Sequence, residues 1–440
     1  MLLIYSSTSS NRLTYTLDTI FRNFLGLDYK LCTNPDEFVF HSGPKLNYSE
    51  KAFGTEPFIF ATRLLFEKGI RDQQISVFDW QDTKAFFATH PKYLMPFDLF
   101  AASFYLLTRY EEYLPHRRDN HGRFDARDSL AFQKGFLHKP VVDIYAQQLK
   151  RILKSAYPVL QFTEKKYDFL STIDVDNAWA YREKGLIRTT GALLRSLFSL
   201  EFREFLERIL VLAGTRRDPF DTYETLFAIQ QKYGIKCIYF FLLGDYGEND
   251  KNVSVSRRKF QSLINAIADY NEVGIHPSYA SNTFQSRIKL EQNRLQKVIK
   301  RPVIKSRQHF LKLEFPATYR NLIECDITDD YTMGYASEPG FRAGTCHTYR
   351  FFDLEYDCLA PLYIHPFVVM DATLNFYRKF RPEEVMSYVG PLIREVKNVN
   401  GRFTLLWHNE TLSGKKPWEG WKDVYEEIVK VACEAYDQDN

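Results

Sequence analysis

From residue 168 onward, short apolar runs alternate with longer amphipathic stretches, and this alternation restricts the possible folds more than any other feature of the chain. Residues 236–243 (KCIYFFLL), 273–276, 303–310, 359–370 and 403–408 are rich in β-branched and aromatic side chains and read as buried strands. Between them, residues 258–270, 286–299 and 383–399 carry apolar side chains at helical spacing. Strand and helix in alternation call for parallel β-structure with crossover helices, hence an open doubly wound sheet or a barrel. Either architecture gathers reactive groups at the carboxyl ends of its strands.

The first of these strands lies in YDFLSTIDVDNAW, residues 167–179, an apolar run that ends in Asp174 and Asp176. Side chains at i and i+2 leave a strand on the same face. Two carboxylates standing side by side repel unless a cation or a shared proton relieves them. A divalent metal is the simplest relief; an ordinary polar turn is the alternative.

Ahead of this strand, residues 1–160 read as a smaller N-terminal α/β domain of unknown role, with 161–440 as the second domain. Residues 2–5 are strand-like, and Asn11 can cap a helix reaching residue 24. Residues 58–66, 97–113 and 141–153 suggest further helices, and 115–128 a polar loop in which His116 and His121 read as surface side chains. At 440 residues, with 45% apolar and 16% aromatic side chains, the chain has material for two or three cores.

Several function classes are disfavoured. A formal charge of +3 creates no global field for nucleic acid. The six cysteines show no C-x-x-C spacing, as in a reducing compartment. The start, MLLIYSSTSSNRLTY, lacks a charged n-region and reads as a strand rather than a signal peptide, and no window resembles a membrane span. A cytoplasmic location is expected, with the inner face of the membrane as a variant.

That variant comes from residues 180–217, an amphipathic insertion after the first strand. It sets eight basic residues against four acidic ones, a net charge of +4. A basic amphipathic helix can lie at a bilayer interface facing anionic lipid, or act as a lid packed on its own domain. The pattern from Asp221 to Glu224 that follows is like a capping box opening the next helix.

Other strand ends carry histidines. His276 follows EVGI in VGIHPSYAS, Arg307 and His309 stand at i and i+2 in KSRQHF, and His408 ends a strand in FTLLWHNETLS. Four strand ends bearing Asp or His say more than any one of them. His365 reads as a packed core side chain and His347 as an exposed one in a polar turn.

The order TIDVD, GIHPSY, SRQHF, LLWHN resembles the polysaccharide deacetylase superfamily, that is the NodB-homology or carbohydrate esterase family 4 group, over residues 165–440. The resemblance implies a deformed (β/α) barrel and a metal-dependent hydrolase that removes an N-acyl group, usually acetyl, from an amino sugar. It implies Asp174 as catalytic base, Arg307 as the arginine orienting it and His408 as catalytic acid. Asp176 and His276 become metal ligands, with zinc the expected ion. The family's second metal histidine falls at Ala280, so either His309 supplies the third ligand or the site holds metal weakly or not at all. Tyr279, Arg342 and Trp407 are the expected substrate contacts, and the substrate is an amino-sugar or glycan intermediate, lipid-linked or nucleotide-linked. Two rival readings are a degenerate barrel that binds glycans without hydrolysis and a D-x-D glycosyltransferase. The sequence gives no indication of oligomeric state.

Overall fold

The computed structural model describes residues 1–434. Its first part builds a parallel sheet from β1 (Leu2–Tyr5), β2 (Tyr29–Cys32), β3 (Lys45–Ser49) and β4 (Phe58–Phe60), in the order β2-β1-β3-β4. Residues 58–66, expected as a helix, are instead β4 followed by a short turn of 3-10 helix at Leu64–Phe66, because Phe58 to Phe60 pair with β3. The helix beginning at Asn11 is capped by Ser10, whose hydroxyl accepts from Leu13 N–H; Asn11 instead donates to the Asp357 carbonyl. A small antiparallel hairpin, β5 (Phe78–Trp80) and β6 (Thr83–Ala85), and the buried helices Leu99–Leu107 and Val141–Ala156 complete this part.

The second part holds a nine-stranded sheet. Its strands are β7 (Asp168–Val175), β8 (Lys236–Phe241), β9 (Glu272–Ile275), β10 (Lys305–Ser306), β11 (Asp329–Asp330), β12 (Tyr349–Asp353), β13 (Cys358–Ile364), β14 (Val369–Met370) and β15 (Arg402–His408). They run in the order β12-β13-β11-β10-β9-β8-β7-β15-β14, parallel throughout except for β12 against β13. The expected alternation is present, with helices Tyr223–Tyr233, Arg258–Ala268, Ser286–Ile299, Ala317–Glu324 and Val385–Asn398 between strands. Where a barrel was expected, the strand order is open, ending at β12 and β14. The segment joining β13 to β14 nevertheless bonds on both sides: Phe367 N–H donates to the Met333 carbonyl and Val368 N–H to that of Thr404.

The two sheets share one continuous buried core, from Leu2 to Ala432. The helix Tyr223–Tyr233 lacks the expected capping box. Thr222 sits at its N-cap without a side-chain cap bond, and its hydroxyl donates to the Asn409 carbonyl beyond β15.

Candidate active site

Strand register brings the predicted residues together. His408, the last residue of β15, is paired with Asp174 of β7, which in turn stands opposite Phe240 of β8. On the other flank Ile275 of β9 pairs with Ser306 of β10, so His276 and Arg307 leave their strands at the same level. Asp176 follows β7 by one residue, and His309 begins a short turn after β10.

Asp174 is buried, and its Oδ1 accepts from Arg307 Nη1 at 2.9 Å. Arg307 is fixed by two further bonds, donating from Nη1 to Thr172 Oγ1 at 2.8 Å and from Nε to the Tyr331 carbonyl at 2.9 Å. The structure thus brings Arg307 and Asp174 into direct contact.

Asp176 lies among imidazoles. Its Oδ1 is 3.2 Å from His276 Nε2, and its Oδ2 is 3.5 Å from His309 Nε2 and 3.9 Å from His408 Nε2. His276 Nδ1 lies 2.5 Å from the Arg307 carbonyl, which can only accept, so Nδ1 carries a proton and Nε2 is the nitrogen turned toward Asp176. Oδ1 of Asp176 is buried and has no hydrogen-bond partner. A buried carboxylate oxygen without a partner, set among imidazole nitrogens, is an arrangement that a cation resolves.

Asp176, His276 and His309 have their donor atoms within 4.8 Å of one another. Zinc bonds of about 2.0–2.1 Å at tetrahedral angles separate donors by about 3.3 Å, close to the Asp176 contacts. One carboxylate and two neutral imidazoles are also a donor set that zinc accepts in open catalytic sites. The residues present therefore fit a divalent ion held by Asp176, His276 and His309.

Two carboxylates that sequence reasoning missed orient the histidines. Asp250 Oδ1 accepts from His309 Nδ1 at 2.9 Å, and the same carboxylate takes the backbone N–H groups of Tyr279 and Ala280. Asp371 Oδ1 contacts His408 Nδ1 at 2.8 Å while its Oδ2 accepts the His408 N–H at 2.8 Å. Asp371 was detectable, since it ends an apolar run as Asp174 does; Asp250 lies in an acid-rich loop with nothing to single it out.

Charge coupling shifts several groups. Burial works against ionising Asp176, but His309 and His276 outweigh it and hold the carboxyl well below its usual range. Burial likewise lowers His309, yet Asp176 and Asp250 lift it to about 9. His408 is lifted against burial to about 10, chiefly by Asp371. Burial and the nearby Asp176 push Glu410, a further unforeseen cleft residue, up to about 7.

Asp174, Asp176, His276, His309, His408 and Glu410 line one cavity of about 250 Å³, walled by Phe310, Met370, Phe376, Tyr377 and Trp418. Arg123, from the first part of the chain, also reaches it, bonding the Phe310 carbonyl and the Tyr377 hydroxyl.

The expected substrate contacts lie elsewhere. Trp407 is fully buried against Trp421 and Tyr425, because neighbours on a strand face opposite ways and His408 takes the cleft side. Arg342 is buried in an ion pair with Glu112. Tyr279 packs edge-on behind Phe310, outside the cavity lining. Nor is His347 exposed: it is buried against Asp143, with its Nδ1 2.5 Å from Oδ1. His365 is packed as expected, stacked on Tyr331.

Residues 2–158 match the model of a family of unknown function, DUF7033. No curated protein matches the chain. Among solved structures the chain is similar to a Mycobacterium smegmatis protein described as a polysaccharide deacetylase, with TM-score 0.40 and 15% identity over 62% of this chain and 85% of that one. It is similar to the Puue allantoinase at TM-score 0.39 and 10% identity, over 61% and 83% of the two chains. A Pseudomonas aeruginosa PAO1 protein described as a polysaccharide deacetylase gives 0.37 and 10%, over 60% and 83%. Likenesses this shallow carry no weight for activity, which rests on the chain's own residues.

Proposed function

We propose that the chain is a metal-dependent hydrolase that cleaves an N-acyl group, acetyl in the simplest case, from an amino sugar or glycan intermediate. The observation that carries this reading is the convergence of Asp176, His276 and His309 beside two oriented pairs, Asp174 with Arg307 and His408 with Asp371. The motif order along the sequence supports the same chemistry.

Asp176, His276 and His309 would hold the ion, zinc by donor type. When bound there, it supplies Lewis acidity to a carbonyl oxygen and lowers the pKa of a water. Asp174, fixed by Arg307, accepts the proton of the attacking water through the oxygen that Arg307 leaves free. Water's oxygen bonds to the acyl carbon, the carbon–nitrogen bond breaks, and the departing nitrogen needs a proton. His408, held protonated at neutral pH by Asp371, supplies it. Phe376, Tyr377 and Trp418 offer apolar walls to a sugar ring or a lipid carrier.

The rival glycan-binding reading leaned on Ala280. Its backbone N–H bonds Asp250, the carboxylate that orients His309, so the alanine takes part in an arrangement that replaces the family's second histidine. The glycosyltransferase reading leaves His276, His309, Arg307 and His408 without a task.

Elemental analysis together with acetate release from a panel of N-acetylated amino sugars tests the proposal. Bound divalent metal and acetate release are expected of the wild type, with turnover falling roughly 100-fold or more in Asp174→Asn while the metal stays. Metal with no turnover on any acylated sugar would favour a binder, and activity only with a nucleotide sugar would favour a transferase.

A further inference from the structure

The insertion after β7 folds into two helices, Leu186–Phe198 and Phe202–Leu212, which bury Val211 but turn most of their apolar side chains outward. Ten of the 27 exposed large apolar side chains among the described residues fall between 186 and 212, including Ile187 (89% exposed), Phe198 (81%) and Leu200 (72%). On the second helix Phe202, Leu206 and Ile209 follow helical spacing and form one outward stripe. Polar groups turn inward: Ser196 is buried, Glu204 pairs with Arg208, and Glu207 reaches Lys415 of the body. The hairpin therefore contacts the body yet leaves most of its apolar side chains uncovered.

Water does not favour such a face, and a soluble chain rarely keeps a contiguous apolar patch without a partner for it. The cations beside the stripe select that partner. Arg195 and Arg203 are exposed, flank the apolar turn between the helices, and make no ion pair among the described residues. A second copy of the chain would set the same exposed arginines against one another across an isologous contact, and like charges facing each other disfavour it. A bilayer with anionic headgroups takes apolar side chains below the headgroup level and arginines at it. Among the described residues no helix is long and apolar enough to cross a membrane, so the hairpin would lie in the interface.

We infer that residues 186–212 form a docking surface for anionic membranes. The base of the hairpin ties this surface to the cleft. Lys184 bonds Asn177, the neighbour of Asp176, and Arg188 bonds the carbonyls of Lys251 and Asn252, next to Asp250. Docking would set the cavity and its apolar walls beside the bilayer. On the hydrolase reading, from which this last step follows, the substrate is an acylated amino sugar carried on a lipid.

Co-sedimentation of the full chain with vesicles of phosphatidylcholine plus phosphatidylserine, and with phosphatidylcholine alone, tests the surface without metal or substrate. Binding is expected to the mixed vesicles, and to weaken with salt. Arg195→Ser/Arg203→Ser should weaken it roughly 30-fold, at about 1 kcal/mol per cation. Ile187→Ser/Phe198→Ser/Phe202→Ser alters only exposed positions and should weaken it at least about tenfold. Absence of binding, or binding indifferent to both variants, would overturn the inference. So would a wild-type dimer in light scattering that the apolar variant converts to monomer, since a second copy would then cover the face. Acetate release from a soluble acylated sugar is read separately, so failure of docking and failure of the hydrolase reading are distinct results.

Discussion

His309 is held by carboxylates at both ring nitrogens, Asp250 at Nδ1 and Asp176 at Nε2. Against the lowering effect of burial they raise it from 6.5 to about 9. At neutral pH the metal-free imidazole is therefore protonated, and an ion must displace that proton to reach Nε2. Affinity for zinc should rise about tenfold per pH unit until roughly pH 9 and then level off. Conversely, stability that the metal-free protein draws from these pairings is complete below about 6.5 and fades as pH rises through about 9. Calorimetry in buffers of differing ionisation enthalpy counts the released proton, and a pH-independent affinity would remove His309 from the ligand set. Asp250→Ala should weaken zinc by about 10–100-fold, read by competition with a chelator, because outer-shell partners fix ring orientation. Residues placed by strand period were legible in sequence: Asp174, Asp176, His276, Arg307, His309 and His408 all reach one place. Trp407 was misread against that same period, since it alternates with Leu406 and His408 and faces the core. Asp250 was not legible because a loop carboxylate acquires its role only through contact with His309.

The carboxyl ends of β7, β8, β9, β10 and β15 act as one platform, and Gly274 is a tight point in it. A Cβ there would come within 2.7 Å of both the Lys305 carbonyl of β10 and the Phe240 ring of β8. Since His276 is two residues further on, Gly274→Ala should cost about 1–3 kcal/mol in stability and reduce metal content as β9 shifts. Gly191, in the first insertion helix, has open space around it, so Gly191→Ala should leave metal content unchanged. Denaturant midpoints and elemental analysis of both variants give the comparison, and normal metal in Gly274→Ala would show that β9 does not set the ligand position. The long apolar strands of this platform were legible because hydrophobic content marks a strand buried on both faces. The short ones were legible poorly or not at all. The strand expected over 303–310 is β10, which spans two residues, β11 of two residues was missed, and β4 was hidden in a stretch whose apolar spacing also fits a helix. Their pairing is set by neighbouring strands, which no local pattern reports.

Across the whole molecule, a buried charge cluster locks the first part of the chain to the second. Glu112 accepts from Arg109 Nε at 2.8 Å and from Arg342 through Nε at 2.9 Å and Nη2 at 2.6 Å, and all three residues are buried. Arg109 also donates to the Arg342 carbonyl and to Glu111. Sequence reasoning gave Arg342 to the substrate because it could not see that residues 109 and 112 come to meet it. Burial raises the Glu112 carboxyl, but Arg342 and Arg109 prevail and hold it below the ordinary carboxylate value. Its stabilising effect is therefore present above about pH 4.5 and is lost as pH falls through the lower folded value. Removing the carboxylate leaves the buried Arg342 without an anion and Arg109 with Glu111 alone, and Glu112→Ala should cost about 3–5 kcal/mol. Glu112→Gln keeps one acceptor oxygen for the two Nε–H groups but sets an amide NH2 against Arg342 Nη2, so it should recover only part of that loss. Because the core runs unbroken from β1 to the last helix, the loss should appear as one earlier unfolding transition by circular dichroism, shared by both parts. Two separated transitions would mean that the parts are stable independently and that the cluster only docks them. Metal bound per folded molecule should stay at the wild-type level, since Glu112 lines no wall of the cavity that holds Asp176, His276 and His309.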